Sequence, residues 1–385
     1  MKNILNYIKD ILGKSKDVGL VTGADIIGSA ISAIFYFTLA GIMDTESYGK
    51  IGYFLAIATV ISVISRVGAT NTIMIYAAKQ VKIQSSVFFV SMIISVIAST
   101  IYYFIFHDFG VSIIIIGYVI FALATSDALG QKLFKVYSKY IITQKLLMIG
   151  FAIGLYYWIG FDGVILGIAL SFIPYSLRIY KVFKEMKIDF SLLKERFGFI
   201  INSYVLDLSG TFIGSIDKII IAPMFGFMIL GNYHLAIQFL AILYIIPNAV
   251  YKYTLPHDAS GLTNFKTKKV GLFVAIILSL LGIFVSPFVL PVLFPNFGEA
   301  TSILQIISFA VIPNYIGLMF ISKYLGLEKI KIVIIGSGIY LTIQIVSIIV
   351  LGQMYGVNGI AASIVIAESI QCIYFLAIGK VIRHN

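Results

Sequence analysis

Asp207, Thr211, Ser215 and Lys218 recur at helical spacing within DLSGTFIGSIDKIIIA (207–222), a segment that is otherwise apolar. At about 100° per residue they share one helix face. An acid, two hydroxyls and an amine on one face can hold an anion through the lysine or a cation through the aspartate. A second stripe, Thr59, Ser62, Arg66 and Thr70, carries a guanidinium, the group best shaped to grip two phosphate oxygens at once. A third stripe, Thr22, Asp25, Ser29 and Ser32, again combines an acid with hydroxyls, and Tyr36 stands where Lys218 stands in the first. Nothing acidic in the same span lies close on the faces of Arg66 or Lys218, so these two are the sharper candidates for binding an anion. Asp25 and Asp207 carry two open readings: coupling to a cation, or pairing with basic neighbours and hydrogen bonding across helices. Asp217 reads as a boundary residue, Asp127 as a neutraliser of Lys132, Lys145 as a residue near a helix start, and Glu368 either way. Hydroxyl stripes also serve helix packing in membranes. Gly-rich phosphate loops, metal-ligand clusters and Ser/His/Asp signatures are absent from the sequence, and a single cysteine, Cys372, excludes an internal disulfide.

These polar groups sit in an apolar chain. Of 385 residues 60% are hydrophobic and 12% charged, against roughly 45–50% and about 25% in soluble domains. The composition is that of an all-α integral membrane protein. Spans of about 20 apolar residues are expected at 18–42, 51–74, 85–105, 110–131, 140–159, 162–180, 198–222, 227–251, 270–294, 300–322, 332–352 and 357–379. Residues 1–17 are too polar to span, and Ile4, Leu5, Ile8, Ile11 and Leu12 fall on one face, which predicts an interfacial amphipathic helix. No removed signal peptide is indicated. A charged group at mid-bilayer costs at least ~2.5–3.5 kcal/mol and normally faces a bundle interior or an aqueous cavity. The three stripes therefore predict a polar cavity between two halves.

Twelve spans place both termini on one side. The termini and the connections 79–84, 132–139, 178–197, 252–269 and 323–331 hold 24 of the 28 Lys and Arg residues, while the opposite connections hold only Lys50. By the positive-inside rule both termini are cytoplasmic. The net charge of +11 is then a topology signal with some attraction to anionic lipid, and it does not call for nucleic acid as a partner. The opposite connections are two to eight residues long, too short to carry the catalytic loop of a membrane saccharide polymerase or ligase.

GYFLAI (52–57) and NYHLAI (232–237) match at an offset of 180, and Asp25-Ile-Ile-Gly28 matches Asp207-Leu-Ser-Gly210 at 182. GFDGVILGIALS (160–171) resembles YGVNGIAASIVI (355–366) at an offset near 196. These predict two parallel six-helix bundles, 18–180 and 198–379, joined by a cytoplasmic linker at 181–197 and followed by a tail at 380–385. Transporters built from parallel repeats bind substrate between the repeats and alternate access by rocking them. Pro174, Pro247, Pro287, Pro291 and Pro313 interrupt spans 6, 8, 9 and 10, either as hinges or as ordinary tolerated membrane prolines.

Four local patterns are similar to those of polysaccharide flippases. They are DTESYGKIGYFLA (44–56), SIDKIIIAPMFGFMILGNYHLA (215–236), IIPNAVYKYTLPHDAS (245–260) and YGVNGIAASIVIAE (355–368). The chain resembles the O-antigen and teichuronic-acid exporter type of the multidrug/oligosaccharidyl-lipid/polysaccharide exporter (MOP) superfamily, without the two extra helices of some relatives. The resemblance implies a flippase, not an enzyme, that carries a lipid-linked oligosaccharide on a polyprenyl diphosphate from the cytoplasmic to the outer leaflet for cell-surface polysaccharide biosynthesis. It implies residence in the cell (inner or plasma) membrane, and pathway polysaccharide polymerases and glycosyltransferases as partners. Arg66 and Lys218 would meet the diphosphate. Asp25 and Asp207 would couple transport to H+ or Na+, with Thr211, Ser215, Ser62 and Thr70 lining the cavity, and no further cofactor. The rival within the superfamily is a multidrug-type cation-coupled exporter, which Asp25 and Asp207 favour and Arg66 and Lys218 oppose.

Overall fold

A computed structural model describes residues 2–260 and 265–384, with side chains over 19–255, 257–260 and 265–379. The face expected to lie on the membrane surface (1–17) and the tail (380–385) fall outside the described side chains. In chain order the helices are α1 (Lys2–Ile42), α2 (Thr45–Arg66), α3 (Ala69–Ala78), α4 (Gln84–Phe106), α5 (Phe109–Gly130), α6 (Phe134–Ile159), α7 (Phe161–Leu170) and α8 (Ser176–Glu185). There follow α9 (Ser191–Glu195), α10 (Phe197–Phe225), α11 (Phe227–Leu243), α12 (Ile245–Ala259), α13 (Phe265–Leu293), α14 (Ala300–Ser308), α15 (Val311–Gly326) and α16 (Ile330–His384). Among the described residues no strand occurs, as expected where a bilayer offers no water to an unpaired backbone.

Eight helices are long and apolar enough to cross a membrane, and ten if the bent pairs α11/α12 (45°) and α14/α15 (43°) each count as one span. The chain is a multi-pass membrane protein. Twelve are expected from the sequence; α10 is not among these helices, and α16 divides at Gly356, whose φ of 57° and ψ of −134° break that 55-residue helix. Unbroken, it would run for about 80 Å, more than twice the hydrocarbon thickness.

The chain folds as two compact units, Met1–Tyr36 with Phe54–Thr211, and Phe37–Tyr53 with Phe212–Asn385. α1, α2 and α10 each contribute residues to both. In the first unit Ala69, Ile73, Phe88, Val119 and Leu123 form an apolar core that Ile179 and Val182 of α8 complete. The stretch expected as a linker is thus held onto this unit, and Ser86 secures it twice: its hydroxyl donates to the Asp189 carbonyl at 2.9 Å and accepts from the Asp189 N–H at 2.8 Å. There the Ser191 hydroxyl and backbone N–H hold the Asp189 carboxyl below its ordinary range. Asp127, expected to neutralise Lys132, instead pairs with Arg178 at 2.6 Å and accepts from Gln131 at 2.8 Å. One opposite charge and one neutral donor account for a fully buried carboxylate.

In the second unit the pattern at 44–56 is a packing device. Asp44 accepts from the Ser47 N–H at 2.9 Å, Tyr48 is fully buried, and a Cβ on Gly49 would strike the Phe227 carbonyl. Gly231 approaches the Thr45 carbonyl in the same way, and Gly52 lies against the His234 ring. The N-terminal turns of α2 and α11, which hold the segments that match at an offset of 180, therefore pack closely on each other.

The match near offset 196 has a structural counterpart. Gly160 precedes α7 with φ 67°, ψ −140°, and Gly356 breaks α16 with φ 57°, ψ −134°, a region open in practice to glycine alone. Three residues on, Gly163 lies on the Leu155 carbonyl and Gly359 on the Leu351 carbonyl, again 196 apart. The same hairpin is built once in each unit.

Of the five prolines expected to interrupt spans, Pro247 and Pro313 lie in the first turn after a bend and Pro174 in a 3-10 turn between α7 and α8. A proline there costs no hydrogen bond. Pro287 and Pro291 lie inside the unbroken α13, where Gln305 donates to the Ile283 carbonyl freed by Pro287 at 3.1 Å. Gly163→Ala and Gly359→Ala are each expected to destabilise by about 1–3 kcal/mol through overpacking, read as a lower thermal midpoint in detergent. Gly338→Ala, with open space around it, leaves the midpoint at or above wild type.

Candidate functional site

Each unit encloses a polar cluster that includes predicted site residues. In the first, α2 stops at Arg66, Val67 and Gly68 take left-handed φ values of 49° and 73°, and α3 begins at Ala69. A β-branched residue in that region is strained, and the break leaves Arg66 at a helix end inside the unit. Gly68 admits α10 here, because a Cβ would collide with the Ile200 carbonyl. Arg66 Nη1 donates to Thr70 Oγ1 at 3.3 Å, and Asn71 on the same side of the break donates to Asp207 Oδ1 at 3.1 Å. Asp207 is within electrostatic reach of Arg66 and Thr70. Arg66 Nε and Asp207 Oδ2 are buried and find no hydrogen-bond partner among the described residues. The cluster presents one unspent donor and one unspent acceptor.

In the second unit a cavity of about 260 Å³ is lined by Gly214, Asp217, Lys218, Tyr244, Asn314, Tyr340, Gln344 and Glu368. Asp217 is its hub. It accepts from Tyr233 Oη at 2.7 Å, from the Lys218 N–H at 2.8 Å and from Lys218 Nζ at 3.2 Å, while Nζ also donates to the Gly214 carbonyl at 3.0 Å. Across the cavity Asn314 donates to Glu368 at 2.9 Å. Tyr244 Oη, Asn314 Oδ1 and Gln344 Oε1 are buried without a partner among the described residues. Two carboxylates against one ammonium leave this lining acidic.

The structure distributes the predicted residues unevenly. Arg66, Thr70 and Asp207 come together in the first unit. Asp25 lies in the same unit but accepts from Tyr137 Oη at 2.7 Å, and Ser62 spends its hydroxyl on the Thr59 carbonyl at 2.8 Å. Thr211 ends the first unit and Ser215, buried, belongs to the second. Lys218 was expected to lack an acidic neighbour, and Asp217 to be a boundary residue; both expectations are corrected. Adjacent residues point about 100° apart, but a four-carbon lysine stem folds back far enough to meet the carboxylate beside it. The sequence reading missed Asn71, Tyr137 and Tyr233, each of which reaches its carboxylate from a different helix. Tyr233→Phe removes a hydrogen bond to a buried charge and is expected to cost about 1.5–3 kcal/mol, seen as a lower midpoint in thermal unfolding of the purified protein.

The chain is thus built as two helical units with a duplicated hairpin and polar interiors. Among solved structures the chain is similar to lipid II flippase MurJ in an inward closed conformation, with a TM-score of 0.76 and 16% identity over 94% of this chain and 87% of that one. It is similar to an inward-facing multidrug resistance MATE family transporter of the MOP superfamily, at a TM-score of 0.70 and 16% identity over 92% and 94% of the two chains. A Pyrococcus furiosus MOP superfamily transporter described as having a binding pocket of reverse polarity gives 0.55 and 13% over 95% of each. No protein-family model and no curated protein sequence matches the chain. At these identities the likeness establishes the fold.

Proposed function

We propose that the protein is a flippase for a lipid-diphosphate-linked oligosaccharide, moving the head group from the cytoplasmic to the outer leaflet by alternating access. The observation that carries this reading is Arg66: a guanidinium kept at a broken helix end within an apolar unit, with Nε unspent. An arginine inside the membrane is costly and marks a function by default, and its planar fork suits phosphate oxygens. Thr70 and Asn71 complete a polar wall beside it, and Asp207 Oδ2 can accept from a sugar hydroxyl or take up a coupling H+ or Na+. Lys218 takes part only together with Asp217. The fold similarity to a lipid II flippase supports this substrate class. The excess of lysine and arginine on one set of connections supports an orientation with both termini cytoplasmic; residence in the plasma membrane, with the pathway's glycosyltransferases and polymerase as partners, follows from the flippase reading itself.

A second reading is favoured by a specific observation. The cavity of the second unit carries Asp217 and Glu368 against Lys218, an acidic lining that suits a cation, as a cation-coupled multidrug exporter needs.

Proteoliposomes with a fluorescent polyprenyl-diphosphate oligosaccharide separate the two. Wild type is expected to expose inner-leaflet label to an external quencher, and Arg66→Gln to slow this at least about tenfold, the equivalent of roughly 1.4 kcal/mol in the barrier. Export of a cationic dye with no movement of the labelled lipid would replace the flippase with the exporter.

A further inference from the structure

The first unit holds another intramembrane cation, Lys145, which the sequence alone places near a helix start. α6 begins at Phe134, so Lys145 is about 16 Å into a helix of roughly 39 Å, three turns past its start and inside the expected span 140–159. Its direction follows from the exposure of its neighbours. Leu146, Gly150, Gly154 and Tyr157 are exposed and fall within an arc of about 80°, which is the lipid face. Lys145 lies about 100° from the nearer edge of that arc and about 20° from the buried Ala152. The half-buried lysine therefore turns toward protein, not lipid. Its stem lies against α1, where a Cβ on Gly28 would meet Ile141 at 2.7 Å and Lys145 Cγ at 3.9 Å.

No acid is assigned to this ammonium. Among the described residues Lys145 makes no ion pair and no hydrogen bond, and the carboxylates that face the interior of this unit have other partners. Asp25 is held by Tyr137, two turns earlier on α6, Asp207 by Asn71 and Asp127 by Arg178. Ser29 and Ser32, on the facing side of α1, donate to the Asp25 and Gly28 carbonyls of their own helix. By contrast, Lys218 is compensated by Asp217 and Arg66 lies near Asp207. A bare ammonium within a span is costly unless something brings it a negative charge.

We propose that Lys145 is an anion-binding residue whose ammonium takes a phosphate oxygen of the transported head group. This rests on the flippase reading and names the charge within it that the chain itself leaves unneutralised. Lysine suits the role as a compact point charge with three donors and no geometric demand, complementing the fixed fork of Arg66. The ligand chemistry is that of an isoprenoid diphosphate.

The test uses the full chain in nanodiscs of zwitterionic lipid, with farnesyl diphosphate as the probe and uncharged farnesol as the control. Wild type is expected to bind the diphosphate and not the alcohol. Lys145→Gln weakens binding about tenfold or more, Lys145→Arg retains most of it, and Lys218→Gln has the smaller effect. Should Lys145→Gln fold poorly, the wild type still decides, because bound diphosphate is expected to shield Lys145 from an amine-acylating reagent, read by peptide mass spectrometry. Wild-type affinity in Lys145→Gln, or acylation of Lys145 unchanged by ligand, overturns the proposal while leaving the flippase reading in place. A wild type that binds diphosphate no better than farnesol overturns the reading itself.

Discussion

Everything polar in this chain answers to one constraint: within the spans there is no water to solvate a charge, so each ionised group needs a partner on the protein or on a ligand. Asp217 shows the fully answered case. It gathers an ammonium, a tyrosine hydroxyl and a backbone N–H, all within 3.2 Å. Asp127 is answered by Arg178. Arg66 and Asp207 are answered in part, since Nε and Oδ2 stay unspent. This gradient, from closed pairs to open groups, separates residues that hold the units together from residues left with something to offer a ligand.

Duplication supplies the scaffold on which that gradient is drawn. The two hairpins at Gly160 and Gly356 share a backbone conformation and the same close approach three residues later. Side chains at equivalent positions have diverged around them. The span-leading α1 carries Asp25 bonded to a tyrosine, whereas α10 carries Asp207 bonded to an asparagine and, further on, the Asp217–Lys218 pair. The first unit keeps cations with unspent capacity, and the second keeps an acidic cavity. A repeat that was symmetric in backbone has been made asymmetric in charge.

Apolar runs were enough to predict the helical class and most of the long helices, and short sequence matches were enough to predict the duplicated hairpin. Bulk hydropathy and periodicity are local quantities, and they survive in a single sequence. The partners of the charges were not legible. Tyr137 lies 112 positions from Asp25 and Asn71 lies 136 from Asp207, so each pairing depends on which helix packs on which. Lys218 misled for a smaller reason: ideal helix angles place Asp217 off its face, but a flexible stem ignores that angle. Arg66 was found by type, yet the helix break that frees it turns on Val67 and Gly68, and only the glycine is suggestive in sequence.

The central claim is that an anionic head group travels through these units. The sign of the charge moved tests it most directly, recorded as a substrate-dependent current across protein-loaded membranes when a lipid-diphosphate oligosaccharide is supplied at the cytoplasmic face. The account predicts net negative charge moving outward, accelerated by an inside-negative potential by up to roughly 2.3 kcal/mol per charge per 100 mV. Current of the opposite sign, or current with cationic dyes and none with the diphosphate, would contradict it.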